Sequence, residues 1–178
     1  MTKLSLLAAT AVAALTLSTG AQAQTAAPTV QPYVGLSGGY HDIGVSDIDG
    51  VEDNGAIYGV LAGVDVPVGE TLKLGVEGNY HLGTNAIDSE YGVAARLGFP
   101  IGATSQLFVK GGYQWVDLDL GNVIGGPVPA GLDDTDGDYL VGVGGEFGVG
   151  DGPARIRVGV DTISFDTVRA TAGVIFKF

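Results

Sequence analysis

From Pro32 to the end of the chain, apolar residues recur at every second position in eight stretches, and turn-rich segments separate them. A period of two is the signature of β-strands with two different faces. The last stretch is the plainest. In residues 168–178, Val168, Ala170, Ala172, Val174, Phe176 and Phe178 share one face, and Arg169, Thr171, Gly173, Ile175 and Lys177 share the other. The other stretches run over about 33–41, 56–66, 72–82, 90–99, 107–115, 138–149 and 155–161. In each, a face of Val, Leu, Ala and Tyr opposes a face bearing Gly and charge.

These lengths suit strands that cross a bilayer, which need roughly 9–11 residues each. The connections alternate. They are long after the first, third and fifth strands and short after the second, fourth and sixth. Membrane barrels have short periplasmic turns and longer extracellular loops. The expected fold is therefore all-β: an eight-stranded antiparallel up-and-down transmembrane β-barrel with both termini periplasmic. The last connection, near residues 164–166, is shorter than that pattern predicts.

The face assignment has an internal test. Of eight Lys and Arg, Lys3 precedes the barrel, and the other seven (Lys73, Arg96, Lys110, Arg155, Arg157, Arg169 and Lys177) all fall on the glycine-bearing face. A basic residue at the lipid midplane costs about 2–4 kcal/mol, which explains the exclusion. Tyr40, Tyr58, Tyr80, Tyr91, Tyr113, Trp115 and Tyr139 gather at the loop ends of strands, with Phe99, Phe176 and Phe178 at the opposite ends. Two aromatic girdles of this kind mark a membrane barrel. The alternative, a soluble lipocalin-like barrel, would turn the valines inward and the charges out. Parity alone does not decide between the two.

Composition adds location. Residues 1–23 have a positive Lys3, a short apolar run and the small-x-small sequence Ala21-Gln22-Ala23, which together predict a cleaved secretory signal. The run is too short for a spanning helix. Residues 24–31 form a short periplasmic leader, leaving 32–178 as the barrel. There are 31 glycines and no cysteine, so no disulfide is used. The net charge of −12 argues against nucleic acid as a partner.

With these features in place, the chain resembles the small eight-stranded outer-membrane barrels of the opacity-protein and attachment-protein type, often labelled porin-like. The resemblance rests on Tyr33-Val34-Gly35-Leu36-Ser37-Gly38-Gly39-Tyr40 opening the barrel and Ala172-Gly173-Val174-Ile175-Phe176-Lys177-Phe178 closing it. It implies a monomer in the outer membrane of a Gram-negative bacterium, in contact with lipid and lipopolysaccharide. It also implies that Val174, Phe176 and Phe178 form a signal read by the barrel-assembly machinery. Members include adhesins and serum-resistance factors.

The inward charges predict a salt-bridge network that fills the lumen, because a buried charge needs a partner. Its members would be Lys73, Glu77, Arg96, Lys110, Glu146, Arg155, Arg157, Asp161, Arg169 and Lys177. Hairpin folding brings Glu146 near Arg155 and Arg157, Asp161 opposite Arg169, and Glu77 close to Arg96. The first long connection holds Asp42, Asp47, Asp49, Glu52 and Asp53, and the third holds or borders Asp117, Asp119, Asp133, Asp134, Asp136 and Asp138. Residues 134–138 resemble a fragment of a calcium loop but lack its distant Glu, so a solvated acidic loop is the reading.

Three roles follow. The first is a structural and surface-interaction protein that meets a host or surface ligand through its acidic loops. The second is a narrow small-solute channel. The third is a lipid A-modifying enzyme, since His81-Leu82-Gly83-Thr84-Asn85-Ala86 faintly resembles the His-x-Ser-Asn-Ala stretch of the outer-membrane deacylases. Its spacing and its Thr depart from that motif, and parity turns His81 away from lipid. No catalytic, cofactor or metal site is expected.

Overall fold

The computed structural model describes residues 29–44, 54–119 and 135–178. The signal segment and most of the leader lie outside this set, as do the middles of the first and third long connections. Eight strands are formed: β1 (Gln31–Asp42), β2 (Asn54–Val68), β3 (Leu72–Gly83), β4 (Ile87–Ile101), β5 (Ser105–Leu118), β6 (Thr135–Gly148), β7 (Ala154–Ile163) and β8 (Val168–Lys177). Each pairs antiparallel with its chain neighbour, and β8 returns to β1 to close the barrel. Closure runs from Tyr33 opposite Lys177 to Asp42 opposite Val168, so no strand edge is left free.

Most strands are longer than alternation alone marks. The chain enters β1 at Gln31, and β5 and β6 continue to Leu118 and back to Thr135. Ladder hydrogen bonds extend the strands past the membrane pattern, where side chains no longer alternate. Thr135–Asp138, expected in an acidic loop, is therefore the start of β6. There the Asp136 carboxylate accepts from Gly137 N at 2.8 Å and the Asp138 carboxylate from Tyr139 N at 2.6 Å.

At one end of the barrel β2–β3, β4–β5 and β6–β7 are joined by tight turns. Gly69 (φ 73°) and Gly102 (φ 78°) take the left-handed backbone that two of these turns require. This is the turn end. The connections after β1, β3, β5 and β7 lie at the other, the loop end. The last of them turns tightly through Ser164 and Phe165, both at positive φ, which accounts for its shortness.

The valine face is outside. Leu36, Val76 and Val93 are 67%, 58% and 59% exposed, and they belong to an apolar belt that every strand contributes to. Soluble monomers rarely expose apolar patches beyond a few hundred Å². The choice that parity left open is thus made: this is the membrane arrangement, with charge enclosed.

Candidate functional site

The interior is filled in layers. An eight-stranded barrel leaves just enough width for side chains to occupy it. Inward glycines set which large groups fit. A Cβ on Gly63 would run into the Tyr33 hydroxyl, and one on Gly144 would run into the tip of the Phe108 ring.

Near the loop end, Arg169 of β8 donates to Glu90 of β4 at 2.5 Å and, through Nη2, to Asp161 of β7 at 2.8 Å. His41 Nδ1 lies 2.8 Å and His81 Nδ1 3.2 Å from the same Glu90 carboxylate. His81 Nε2 meets Ser37 Oγ at 2.8 Å. Serine, histidine and carboxylate thus stand in the order of a hydrolase relay. Ser37 opens, however, on a cavity of about 20 Å³, room for about one water and no acyl chain.

Mid-barrel, Glu77 is the hub. It accepts from Arg157 Nη1 and Nη2 at 2.5 and 2.8 Å, from Arg96 Nη1 at 3.0 Å and from the Tyr33 hydroxyl at 2.7 Å. Lys110 spans the two layers, 3.1 Å from Asp161 and 3.7 Å from Glu77. Arg96 also reaches Glu146 at 2.7 Å. The Phe108 ring packs against two guanidinium groups, with Arg96 4.3 Å and Arg157 4.5 Å from its centroid. Cation–π contacts of this kind strengthen when water is excluded. Toward the turn end, Lys177 closes the series on Glu146 at 2.6 Å and Asp65 at 2.9 Å. Five acids, Asp65, Glu77, Glu90, Glu146 and Asp161, thus meet five bases, Arg96, Lys110, Arg157, Arg169 and Lys177.

The structure brings together Glu77 with Arg96 and Asp161 with Arg169, as hairpin folding suggests. It does not bring Glu146 to Arg155. Arg155 caps the β6–β7 turn instead, donating to Gly152 O at 2.6 Å and Ala154 O at 2.9 Å. Lys73 donates to Gln31 Oε1 at 2.8 Å. Neither makes an ion pair among the described residues.

Several lumen residues were not expected in the network. Asp65 and Glu90 lie on the inward face, and their pairs with Lys177 and Arg169 of β8 join strands distant in sequence, which hairpin reasoning does not reach. Tyr33 opens the first stretch at inward parity, is 1% exposed and accepts from Arg96 Nη1 at 2.6 Å. An apolar cap of Ile57, Ile87, Val116, Leu140 and Ile163, with Ile43 and Leu118 against it, covers the ionic layers at the loop end. A β-bulge between Ile87 and Ser89 turns Ile87 inward against the parity of its strand. The other cap members already stood at inward parity, and that was the signal available.

On the outside, Tyr91, Trp115, Tyr113 and Tyr139 form a continuous stack across β4, β5 and β6. Ring centroids are 5.4, 4.8 and 5.7 Å apart in that order. Tyr40, Tyr58 and Tyr80 continue outward on β1, β2 and β3, all near the loop end. Tyr40 donates to Asn54 at 2.5 Å, tying the first strand pair. Val174, Phe176 and Phe178 lie exposed on the opposite half of the last strand and its end.

A closed barrel with an apolar belt, outward aromatic residues near its loop end and a charged core defines an integral membrane barrel. The chain matches the outer membrane protein beta-barrel domain over residues 9–176 and belongs to that family. Among solved structures it is similar to Ail, the attachment invasion locus protein of Yersinia pestis. The two are 12% identical, with a TM-score of 0.53 over 85% of this chain and 99% of that one. Ail in complex with the heparin analogue sucrose octasulfate aligns at 14% identity, with a TM-score of 0.52 over 84% and 97%. Neisserial surface protein A aligns at 12% identity, with a TM-score of 0.51 over 84% and 97%. No curated protein sequence matches the chain. At these identities the likeness is one of fold. The chain is an outer-membrane barrel.

Proposed function

We propose that this barrel is a monomeric surface-interaction protein with a closed lumen. The turn end and both termini face the periplasm, and the long acidic connections face outward. The orientation is supported by tight turns at one end and long connections at the other. The observation that carries the interaction role is the separation of charge. The lumen pairs five acids with five bases, while the first and third connections with their flanks hold eleven acids and no Lys or Arg. That surface attracts cationic partners and repels polyanions. A sulfated ligand like the heparin analogue seen with Ail would meet the wrong sign here.

Val174, Phe176 and Phe178 serve in this reading as the strand-end signal for assembly, and the Tyr–Trp stack rests at the lipopolysaccharide interface. The charged layers and the apolar cap act as a plug that organises the barrel. Cells displaying the protein should bind a fluorescent polylysine, and binding should fall steeply as salt rises, because exposed charges are screened. Replacing Asp42, Asp117, Asp119 and Asp138 with Asn should weaken binding severalfold. Equal binding by that variant, or preference for heparin over polylysine, would sink the proposal.

A further inference from the structure

A second cavity opens at the turn end, separate from the paired lumen layers. This vestibule measures about 260 Å³. Lys73, Arg155 and Lys177 all line it, together with Glu146 and the end residue Phe178, and Lys73 feels the charges of Lys177 and Arg155 and, in the opposite sense, those of Asp65 and Glu146. Lys177 is engaged by Glu146 and Asp65. Lys73 and Arg155 have no carboxylate within 4.0 Å among the described residues, and their polar contacts are to the Gln31 amide and to turn carbonyls.

Among the described residues, no Asp or Glu side chain pairs with either cation. Thr29 and Val30, the described residues just before β1, carry no charge. The acidic connections after β1 and β5 lie at the other end of the barrel. The five lumen carboxylates are matched by five other bases. Glu70 and Asp151 are exposed on the neighbouring turns and pair with neither cation. Two cations therefore face one solvent-open space, with the hydroxyl-bearing Thr104 and Ser105 beside them.

We propose that this vestibule binds a small phosphate-bearing anion, with Lys73 and Arg155 as its charged ligands. A dianion matches the two unpaired charges, where a single carboxylate would leave one over. Arginine grips phosphate oxygens with a planar fork, and lysine adds a point charge. Thr104 and Ser105 offer hydroxyl donors for the remaining oxygens. The phosphate comes either free in solution or on a lipid headgroup.

The test uses the full chain refolded in a non-ionic, phosphate-free detergent. Inorganic phosphate is titrated calorimetrically, and phosphatidic acid is added to separate micelles as the lipid-borne source. One phosphate should bind per barrel, and Lys73→Gln or Arg155→Gln should weaken binding at least tenfold. In the unmodified protein, arginine side-chain ¹⁵N spectra should show Arg155 Nε shifting with phosphate while Arg96 and Arg157 stay fixed. A response to phosphatidic acid alone supports the site and assigns it to lipid. If neither probe binds at millimolar concentration, or the variants bind as the parent does, or Arg155 Nε does not move, the site is refuted.

Discussion

Arg157 and Glu77 stand 80 residues apart in the chain and meet across the lumen as a bidentate pair, Nη1 to Oε2 at 2.5 Å and Nη2 to Oε1 at 2.8 Å. They come from β7 and β3, strands that are not neighbours in the sheet. The contact is a strut across the barrel, independent of the ladder hydrogen bonds. Removing one member of a buried pair costs about 3–5 kcal/mol, since the other is left charged and unpaired. Glu77→Ala removes the nearest carboxylate of Arg157 and one of the partners of Arg96 and of Lys110, which keep Glu146 and Asp161. We expect it to lower stability by about that amount, read from urea-induced unfolding in lipid vesicles. A fall below about 1 kcal/mol, the scale of an exposed pair, would mean that water screens the lumen.

The apolar cap should behave as an ordinary core. Leu140 is 2% exposed and packs within the apolar cap. Leu140→Ala should cost about 2–5 kcal/mol, the range for a truncated core leucine. Unfolding titrations of Leu140→Ala and Glu77→Ala, singly and combined, would give nearly additive losses if cap and hub are separate units.

The lipid face should discriminate by depth. Val93 lies in the middle of β4 and Val168 at the loop end of β8, and both are exposed. Val93→Arg should destabilise by about 2–4 kcal/mol and Val168→Arg by about 0–1 kcal/mol. Equal costs in a vesicle-refolding titration would contradict the membrane depth assigned to the belt.

A closed lumen should carry no steady current. We expect the parent protein to be silent in planar bilayers. Phe108→Gly combined with Arg157→Gly removes the ring and one of its two guanidinium neighbours, and it should produce discrete conductance steps. Steps of equal size from the parent would favour the channel reading.

Packing around the inward glycines gives a finer check. Gly144→Ala puts a methyl group against the Phe108 ring. Overpacking of this kind costs about 1–3 kcal/mol. Gly69→Ala meets no atom within 4 Å but must hold φ near 73°. Its cost should instead be about 1–2 kcal/mol of backbone strain. Thermal loss of the compact gel mobility would rank the two.

Period-two alternation specified the eight strands, their order and the grouping of basic residues with glycines, because each side chain's face follows from its place along one strand. Arg169 and Asp161 were legible as partners for the same reason: the β7–β8 hairpin aligns them directly. Parity alone did not say which face met lipid, since it is the same in an inverted barrel; the aromatic girdles and short turns did. Closure agrees, enclosing the charges and exposing the valines. Nor did alternation reveal the bulge that swings Ile87 inward, that Glu77, paired with Arg96 as its hairpin suggests, would also gather Arg157 and Tyr33, or that His41 of β1 would reach Glu90 of β4. Those contacts run across the barrel's diameter. Distance through the lumen depends on curvature and stagger, which a strand's own sequence does not contain. The sequence by itself determined a wall with a lipid side and a charged side. The tertiary structure decided which of those charges hold the barrel together and which two, Lys73 and Arg155, stand at the mouth without an ionic partner among the described residues.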